Sequence, residues 1–417
     1  MAAQSKQSAA LTSPGYLVPF IIVTALFFIF GFITNLNMAL VPHLKKIFTL
    51  PYAWAMLVES AFFLAYFVFA SPTSKLIEAI GYKKTMVVSL FIQVVGCLLF
   101  IPAAKMVSFP LFLTAIFIVG AGVTALQTSA NPYVSILGPE GSSSIRLNLA
   151  QAFNSIGGTL APIVAGAYIL NDLGPDATQM QVADTVRIPY ILIAGALFLL
   201  GTAVAFMHLP HIEQTQSFRP GKQGDPVLSR SIWSYKHTVL GALGIFFYVG
   251  VEVGLASIAV NYFKLQGMST AKTASFLVSL YWFGALVGRL LGAGIMTKVN
   301  PGKLLGIFGT LAALSIALSM FTSGSIAIGT LVLCGFFNSV MFPNIFTLGI
   351  AGLGPMTSKG SGLIMTAVVG GAVVPLAIGA LADRTSIQIS FIIPVICYLY
   401  IAFYGFVGHK PSRTVTG

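Results

Sequence analysis

Apolar runs long enough to cross a bilayer recur twelve times along this chain. They lie near residues 17–42, 54–79, 84–106, 109–137, 144–170, 188–209, 236–264, 273–297, 303–321, 325–353, 360–383 and 387–408. A helix needs about 20 apolar residues to span hydrocarbon, and only helices and closed barrels satisfy their backbone there. The runs are long and do not alternate, which excludes a β-barrel. Charged residues make up 8% of the chain, against roughly 25% in soluble domains. An all-α integral membrane protein follows. The first run is too long for a signal peptide and lacks an early small-residue cleavage site, so it is expected to be a retained span.

The net charge of +12 is no nucleic-acid signal, because the basic residues sit between spans. With the N-terminus inside, most of them fall on the inner side, which predicts a multi-pass protein of the plasma membrane, in a bacterium the inner membrane, with both termini cytoplasmic. Cys97, Cys334 and Cys397 fall inside spans, where buried thiols and no disulfide are expected. His208 and His211, and the isolated His43, His237 and His409, show no metal or catalytic spacing. Neither cofactor, metal nor enzyme activity is expected.

The longest polar stretch, PHIEQTQSFRPGKQGDPVLSRSIWS, reads as a cytoplasmic link. The expected organisation is a tail over 1–16, a six-helix bundle over 17–209, the link over 210–236, a second bundle over 237–408 and a tail over 409–417. The bundles read as repeats. Arg146, Gly157-Gly158, Pro162 and Gly166 correspond at one constant offset to Lys359, Gly370-Gly371, Pro375 and Gly379. Pro132 and Gly138 answer Pro343 and Gly349, and Gly31 and Lys45 answer Gly250 and Lys264. Two parallel six-span halves are the plan of a major facilitator transporter, with its site between the halves near the midplane. The link SKLIEAIGYKK between spans 2 and 3 has the outline of the major facilitator loop G-x-L-x-D-R-x-G-R-K: Leu76, Glu78, Gly81, Lys83 and Lys84 fit, and Ser74, Ala79 and Tyr82 do not.

Polar residues inside apolar spans are costly and point to function. Gln127 and Asn131 are four apart; Asn148, Gln151 and Asn154 follow at intervals of three, so each set shares one helical face. Span 1 carries Asn35 and Asn37, span 7 Glu252, span 8 Arg289, and span 10 Asn338 and Asn344. Glu59 and Glu252 are the two acids well within spans, and each is a candidate proton carrier. Amides both donate and accept, which suits a ligand rich in hydroxyls. Aromatic faces stack on the apolar side of a sugar ring, and Phe30 and Phe342 are placed for this. Against these stand plainer roles: the amides as interhelical hydrogen bonds, Asn37 as a partner for backbone freed by Pro42, and each Phe as ordinary packing.

These residues resemble the fucose–proton symporter family of major facilitators, which also holds glucose/galactose and N-acetylglucosamine transporters. The resemblance covers nearly the whole chain. NLN at 35–37 with Pro42, SAFF at 60–63, QTSANPYVSILGPE at 127–140, RLNLAQAFNSIG at 146–157, FYVGVE at 247–252 and FPNIFTLGI at 342–350 carry it. It implies that Asn35 and Gln151 line a sugar cavity and that Asn131 is the Asn of an Asn-Pro pair. Two positions depart: the fucose symporter has membrane acids where this chain has Met38 and Gln127. That argues against fucose itself and against proton coupling by that route. Glu252 fits the pattern of the hexose-transporting branch.

The expected substrate is therefore a hexose or amino-hexose, imported by alternating access and coupled to a proton, in a monomer embedded in lipid. Asn35, Asn37, Gln127, Asn131, Gln151, Asn154, Glu252, Phe30 and Phe342 are the expected contacts, with Glu252 and Glu59 as coupling candidates and Glu78, Lys83 and Arg289 as gate residues. An uncoupled facilitator, a sodium-coupled symporter and, more distantly, a sugar sensor are the alternatives.

Overall fold

A computed structural model describes residues 10–48, 52–169, 178–209, 230–267 and 271–411. Most of the link over 210–236, the ends of both tails and the side chains of Met38, Pro42 and Glu59 lie outside the described residues. The described chain is helical, in the order α1 (Leu17–Phe48), α2 (Tyr52–Lys105), α3 (Phe109–Ile136), α4 (Ser143–Tyr168), α5 (Gln179–Asp184), α6 (Arg187–Phe206), α7 (Lys236–Leu265), α8 (Ala271–Ile295), α9 (Pro301–Phe321), α10 (Gly324–Asn338), α11 (Met341–Ile350), α12 (Thr357–Thr366), α13 (Gly370–Arg384), α14 (Ile387–Ser390) and α15 (Ile392–Phe403).

Ten stretches among the described residues are long and apolar enough to cross a membrane, and the expected twelve crossings are consistent with them for two physical reasons. The stretch Ser60–Lys105 holds two spans. It breaks at Gly81, whose φ of 82° and ψ of 167° no helix accommodates and few side chains tolerate. Before the break α2 packs on α12, with Ser74 against Gly362; after it, α2 packs on α6, with Phe91 edge-on to Phe198 at 5.7 Å. The second reason is α4, whose 26 residues are long enough to cross but too polar to register as apolar. Spans 10, 11 and 12 are broken rather than continuous: α10 and α11 make the first, α12 and α13 the second across a 3₁₀ turn at Ala367–Val369, and α15 ends in a π-turn at Tyr404–Gly408.

The repeat glycines do the same work in each half. A Cβ on Gly157 would lie 2.1 Å from the Phe28 carbonyl oxygen, and one on Gly370 would lie 2.0 Å from that of Phe246. Gly31 and Gly250 face those same seams from α1 and α7. So α1 closes on α4, and α7 on α13, at backbone contact. Gly157→Val is expected to cost about 3 kcal/mol, at the upper end of overpacking penalties, read as a fall in the melting temperature of purified protein. Gly195→Ala is the control, since nothing lies within 4 Å of its added carbon; equal melting temperatures for the two variants would refute the argument.

The N-terminal residues 10–16 fix one end of the bundle. Arg146, at the start of α4, is fully buried. Its Nε donates to Val134 O (3.0 Å), its Nη1 to Leu11 O (2.9 Å) and Ser142 Oγ (2.6 Å), and its Nη2 to Ser135 O, Gly138 O (3.2 Å) and Pro139 O (3.1 Å). This basic residue of the repeat therefore caps the last turn of α3 and ties the tail to the α3–α4 loop. We call the end of the bundle that carries this loop the terminal face. The three cysteines are buried and unpaired.

Candidate substrate site between the halves

Prolines decide where this bundle has spare acceptors. Pro132 has no N–H, so the Thr128 carbonyl four residues earlier loses its helical donor; Pro343 does the same to Ser339. Side chains take up both carbonyls. Ser361 Oγ on α12 donates to Thr128 O at 2.7 Å, across the halves. Arg289 Nε on α8 donates to Ser339 O at 3.2 Å. Arg289 then reaches further: its Nη1 donates to Gln151 O at 3.1 Å and to Ser155 Oγ, both on α4. One guanidinium, 7% exposed, thus holds the broken span of its own half and a helix of the other.

Beside it, Tyr248 Oη donates to Glu252 Oε1 at 2.6 Å, one turn along α7. Arg289 lies within electrostatic range of Glu252. The Phe342 ring is tilted against Tyr248 with centroids 6.4 Å apart, and stacks on Phe346 at 6.3 Å. Further along α8, Tyr281 Oη accepts from Asn338 Nδ2 at 2.5 Å, and Asn338 Oδ1 is buried without a partner. A second polar group lies on the N-terminal half. Gln127 Nε2 donates to Tyr66 Oη at 2.6 Å. Asn131, fully buried, donates to Met365 Sδ of the other half at 3.6 Å, while its Oδ1 has no partner.

Towards the terminal face the two halves are joined directly. Ser358 Oγ donates to Glu78 Oε1 at 3.0 Å, the Ser144 and Thr347 hydroxyls are 2.6 Å apart, and Asn148 Nδ2 donates to Asn344 Oδ1 at 2.9 Å. Together with Ser361–Thr128 and the Arg289 bonds, these close the terminal face. The α4–α11 and α3–α12 contacts are counterparts in the repeat, so the seam follows the pseudo-symmetry.

The structure joins Arg289 to the Gln151 backbone and sets it beside Glu252, whose partner Tyr248 lies against Phe342, and it leaves other expected residues elsewhere. Residues two apart on a helix point to different sides, so Asn35 and Asn37 cannot share a cavity. Asn37 Oδ1 accepts from Tyr190 Oη of α6 at 2.7 Å, inside its own half. Asn35 Nδ2 donates to Gly31 O at 2.9 Å and sits over Gly158. Asn154 Nδ2 reaches Phe27 O at 3.4 Å and covers Gly31. Both belong to the α1–α4 seam, where close backbones leave polar atoms to be satisfied. Phe30 is buried edge-on to Phe27 of its own helix, centroids 5.6 Å apart. Lys83 donates to Ala205 O at 2.8 Å, so it ties α2 to α6 instead of bridging the halves as expected of a gate. Reasoning from sequence missed the roles of Tyr248 and Ser155. Each sits four residues from a residue it did select, Glu252 and Gln151, and that spacing was the available signal.

Residues 22–369 match the model of the Major Facilitator Superfamily. The chain belongs to that superfamily. It is 44% identical over 392 residues to the glucose/galactose transporter of Brucella abortus, covering 93% of each chain. The putative glucose/galactose transporter of Helicobacter pylori is 41% identical over 402 residues, covering 94% of this chain and 97% of that one. The L-fucose-proton symporter of Escherichia coli is 31% identical over 411 residues, covering 94% and 93%. These similarities place the chain in the family of membrane transporters that holds all three. The crystal structure of a fucose:proton symporter in the outward conformation superposes with a TM-score of 0.83 at 30% identity, covering 94% of this chain and 98% of that one.

Proposed function

We propose that this transporter imports a hexose or amino-hexose together with a proton, and that residues 17–209 rock against 237–408 around the sugar. The observation that carries the reading is the cluster of Arg289, Tyr248, Glu252 and Phe342, bridged across the halves to the Gln151 backbone: a guanidinium, a hydroxyl, an acid and an aromatic face, with the Gln151 amide on the same helix turn. Its chemistry suits a polyhydroxylated ring, and it lies in a chain 44% identical to a glucose/galactose transporter. Gln127, Asn131 and Tyr66 would contact the same ligand from the other side. The terminal face is the cytoplasmic one in this reading, with both termini inside and the site facing outward, in a monomer within a bacterial inner membrane. Glu78 and Arg289 would hold the inner side shut. Glu252 is the coupling acid; Glu59 stays the other candidate.

The substrate class is tested by competing hexoses, fucose and N-acetylglucosamine against labelled uptake in proteoliposomes. Inhibition by none of them would end the reading. Coupling has its own test. Glu252→Gln is expected to abolish uphill accumulation while sugar exchange continues, because the amide cannot release a proton to one side. Accumulation at the wild-type level would remove Glu252 from the role. An uncoupled facilitator is the second reading, favoured by the neutral Gln127–Tyr66 pair where the fucose relative carries an acid. Sugar added to weakly buffered vesicles then changes no pH, and removal of sodium tests the sodium-coupled variant.

A further inference from the structure

We propose that Arg289 is a proton-leak guard: while Glu252 carries a proton and the site holds no sugar, the Arg289 guanidinium latches α8 to Gln151 O and Ser155 Oγ of α4, and the protonated empty carrier cannot turn. The inference rests on Glu252 being the coupling acid and adds what that acid acts upon.

The geometry supports a two-position guanidinium. In the described state Arg289 spends its donors on uncharged acceptors, the Ser339 and Gln151 carbonyls and the Ser155 hydroxyl. The nearby carboxyl of Glu252 takes its hydrogen bond from Tyr248 instead, at 2.6 Å. A charged carboxylate is a stronger acceptor for a guanidinium than carbonyls are, more so where water is scarce. When Glu252 loses its proton, Arg289 is drawn from α4 to the new charge, and the seam loses the cross-half bonds nearest the site. The empty, deprotonated carrier is then free to turn and reset. When Glu252 is protonated the attraction is gone and the latch holds. A sugar lying between Gln151 and Glu252 offers the guanidinium oxygen acceptors of its own, which is the second way to release it. Protonated carrier thus turns only with sugar aboard.

Few groups compete with this pair. Facing Glu252 are Tyr248 on its own helix and Arg289 and Tyr281 on α8. Behind Tyr281 stand Tyr398 of α15 and Cys334 of α10. No residue of α11 is titratable, and those of α12 and α13, Lys359, Asp383 and Arg384, lie towards the helix ends. Ser339 O needs Arg289 in either position, since Pro343 cannot serve it. The side chain therefore pivots about a fixed Nε bond and does not have to leave its pocket.

The test uses full-length protein in proteoliposomes, without sugar, carrying Thr347→Cys as reporter. Thr347 is 4% exposed and sealed against Ser144, so alkylation of its thiol reports opening of the terminal face. Rates are divided by those of the same protein in detergent denaturant, which removes the pH dependence of the thiol. In the reporter protein alone, normalised alkylation should rise about tenfold between about pH 5 and about pH 8, the scale of a modest population shift. Glu252→Gln should stay slow at both pH values. Arg289→Met should be fast at both, and its vesicles should leak protons without sugar. If Arg289→Met fails to fold, Ser155→Ala removes one latch acceptor without touching a charge and should raise the rate at low pH. A wild-type pH response in Glu252→Gln overturns the proposal. So does undiminished protection at low pH in Arg289→Met or, should that variant not fold, in Ser155→Ala. Alkylation needs neither sugar nor net transport, so a failed substrate panel with an intact pH response sinks the sugar reading alone, and the converse sinks the latch alone.

Discussion

Arg146→Met is expected to remove the protein from the membrane fraction or to lower its melting temperature sharply. The guanidinium serves five carbonyls and one hydroxyl in a site with no solvent exposure. Taking it away strips the last turn of α3 of its cap and leaves several buried acceptors short of a donor. Each such loss costs about 1–3 kcal/mol, and although water will reach some of them, a total of about 3–5 kcal/mol is expected. Lysine should rescue little, because a point charge on a flexible stem cannot serve carbonyls on both sides of the loop. Truncation of residues 1–12, which deletes Leu11 O and the Ala10 O that accepts from Ser142 Oγ but leaves the other acceptors of the guanidinium in place, should cost far less. Thermal melting of the three purified proteins decides it. A methionine variant as stable as wild type would mean that the loop satisfies itself.

Gln151→Ala is expected to abolish sugar uptake while leaving melting temperature and expression normal. The amide side chain is the part assigned to the sugar, and losing a hydrogen-bonding group from a buried polar site weakens affinity by about 10–100-fold. The backbone carbonyl that Arg289 holds survives the substitution, so the closed terminal face should persist. Asn154→Ala is the matched comparison. Its amide makes a long 3.4 Å bond inside the α1–α4 seam, and uptake within about threefold of wild type is expected from so weak a contact. Equal uptake by Gln151→Ala and wild type would take the residue out of the site. Equal loss in both variants would mean that the α1–α4 seam and the site are one unit.

Glycine and proline explain much of what was legible beforehand. The repeat was readable because Gly157 and Gly370, or Pro132 and Pro343, have no substitutes where backbones touch or a carbonyl must be freed. Amides were less legible. Gln127, Gln151, Asn37 and Asn154 look alike in sequence, since any amide in hydrocarbon needs partners. Whether the partner is Tyr190 in the same half or a ligand between halves depends on where α6 and α8 stand, and no local pattern encodes that. Lys83 and Arg289 show the same limit with charge: one reaches a carbonyl of its own half, the other crosses.

By itself the sequence determined a membrane-embedded helical chain, its repeated halves, its family and the stock of polar side chains available in hydrocarbon. Those follow from local rules: span length, the scarcity of internal charge, and residue types that only one backbone geometry tolerates. Tertiary structure alone decided that Arg289 answers the carbonyl freed by Pro343 and also grips α4, and that Arg146 caps the last turn of α3. Each of these joins residues from different helices, and the donor–acceptor match that selects them exists only once the helices have packed.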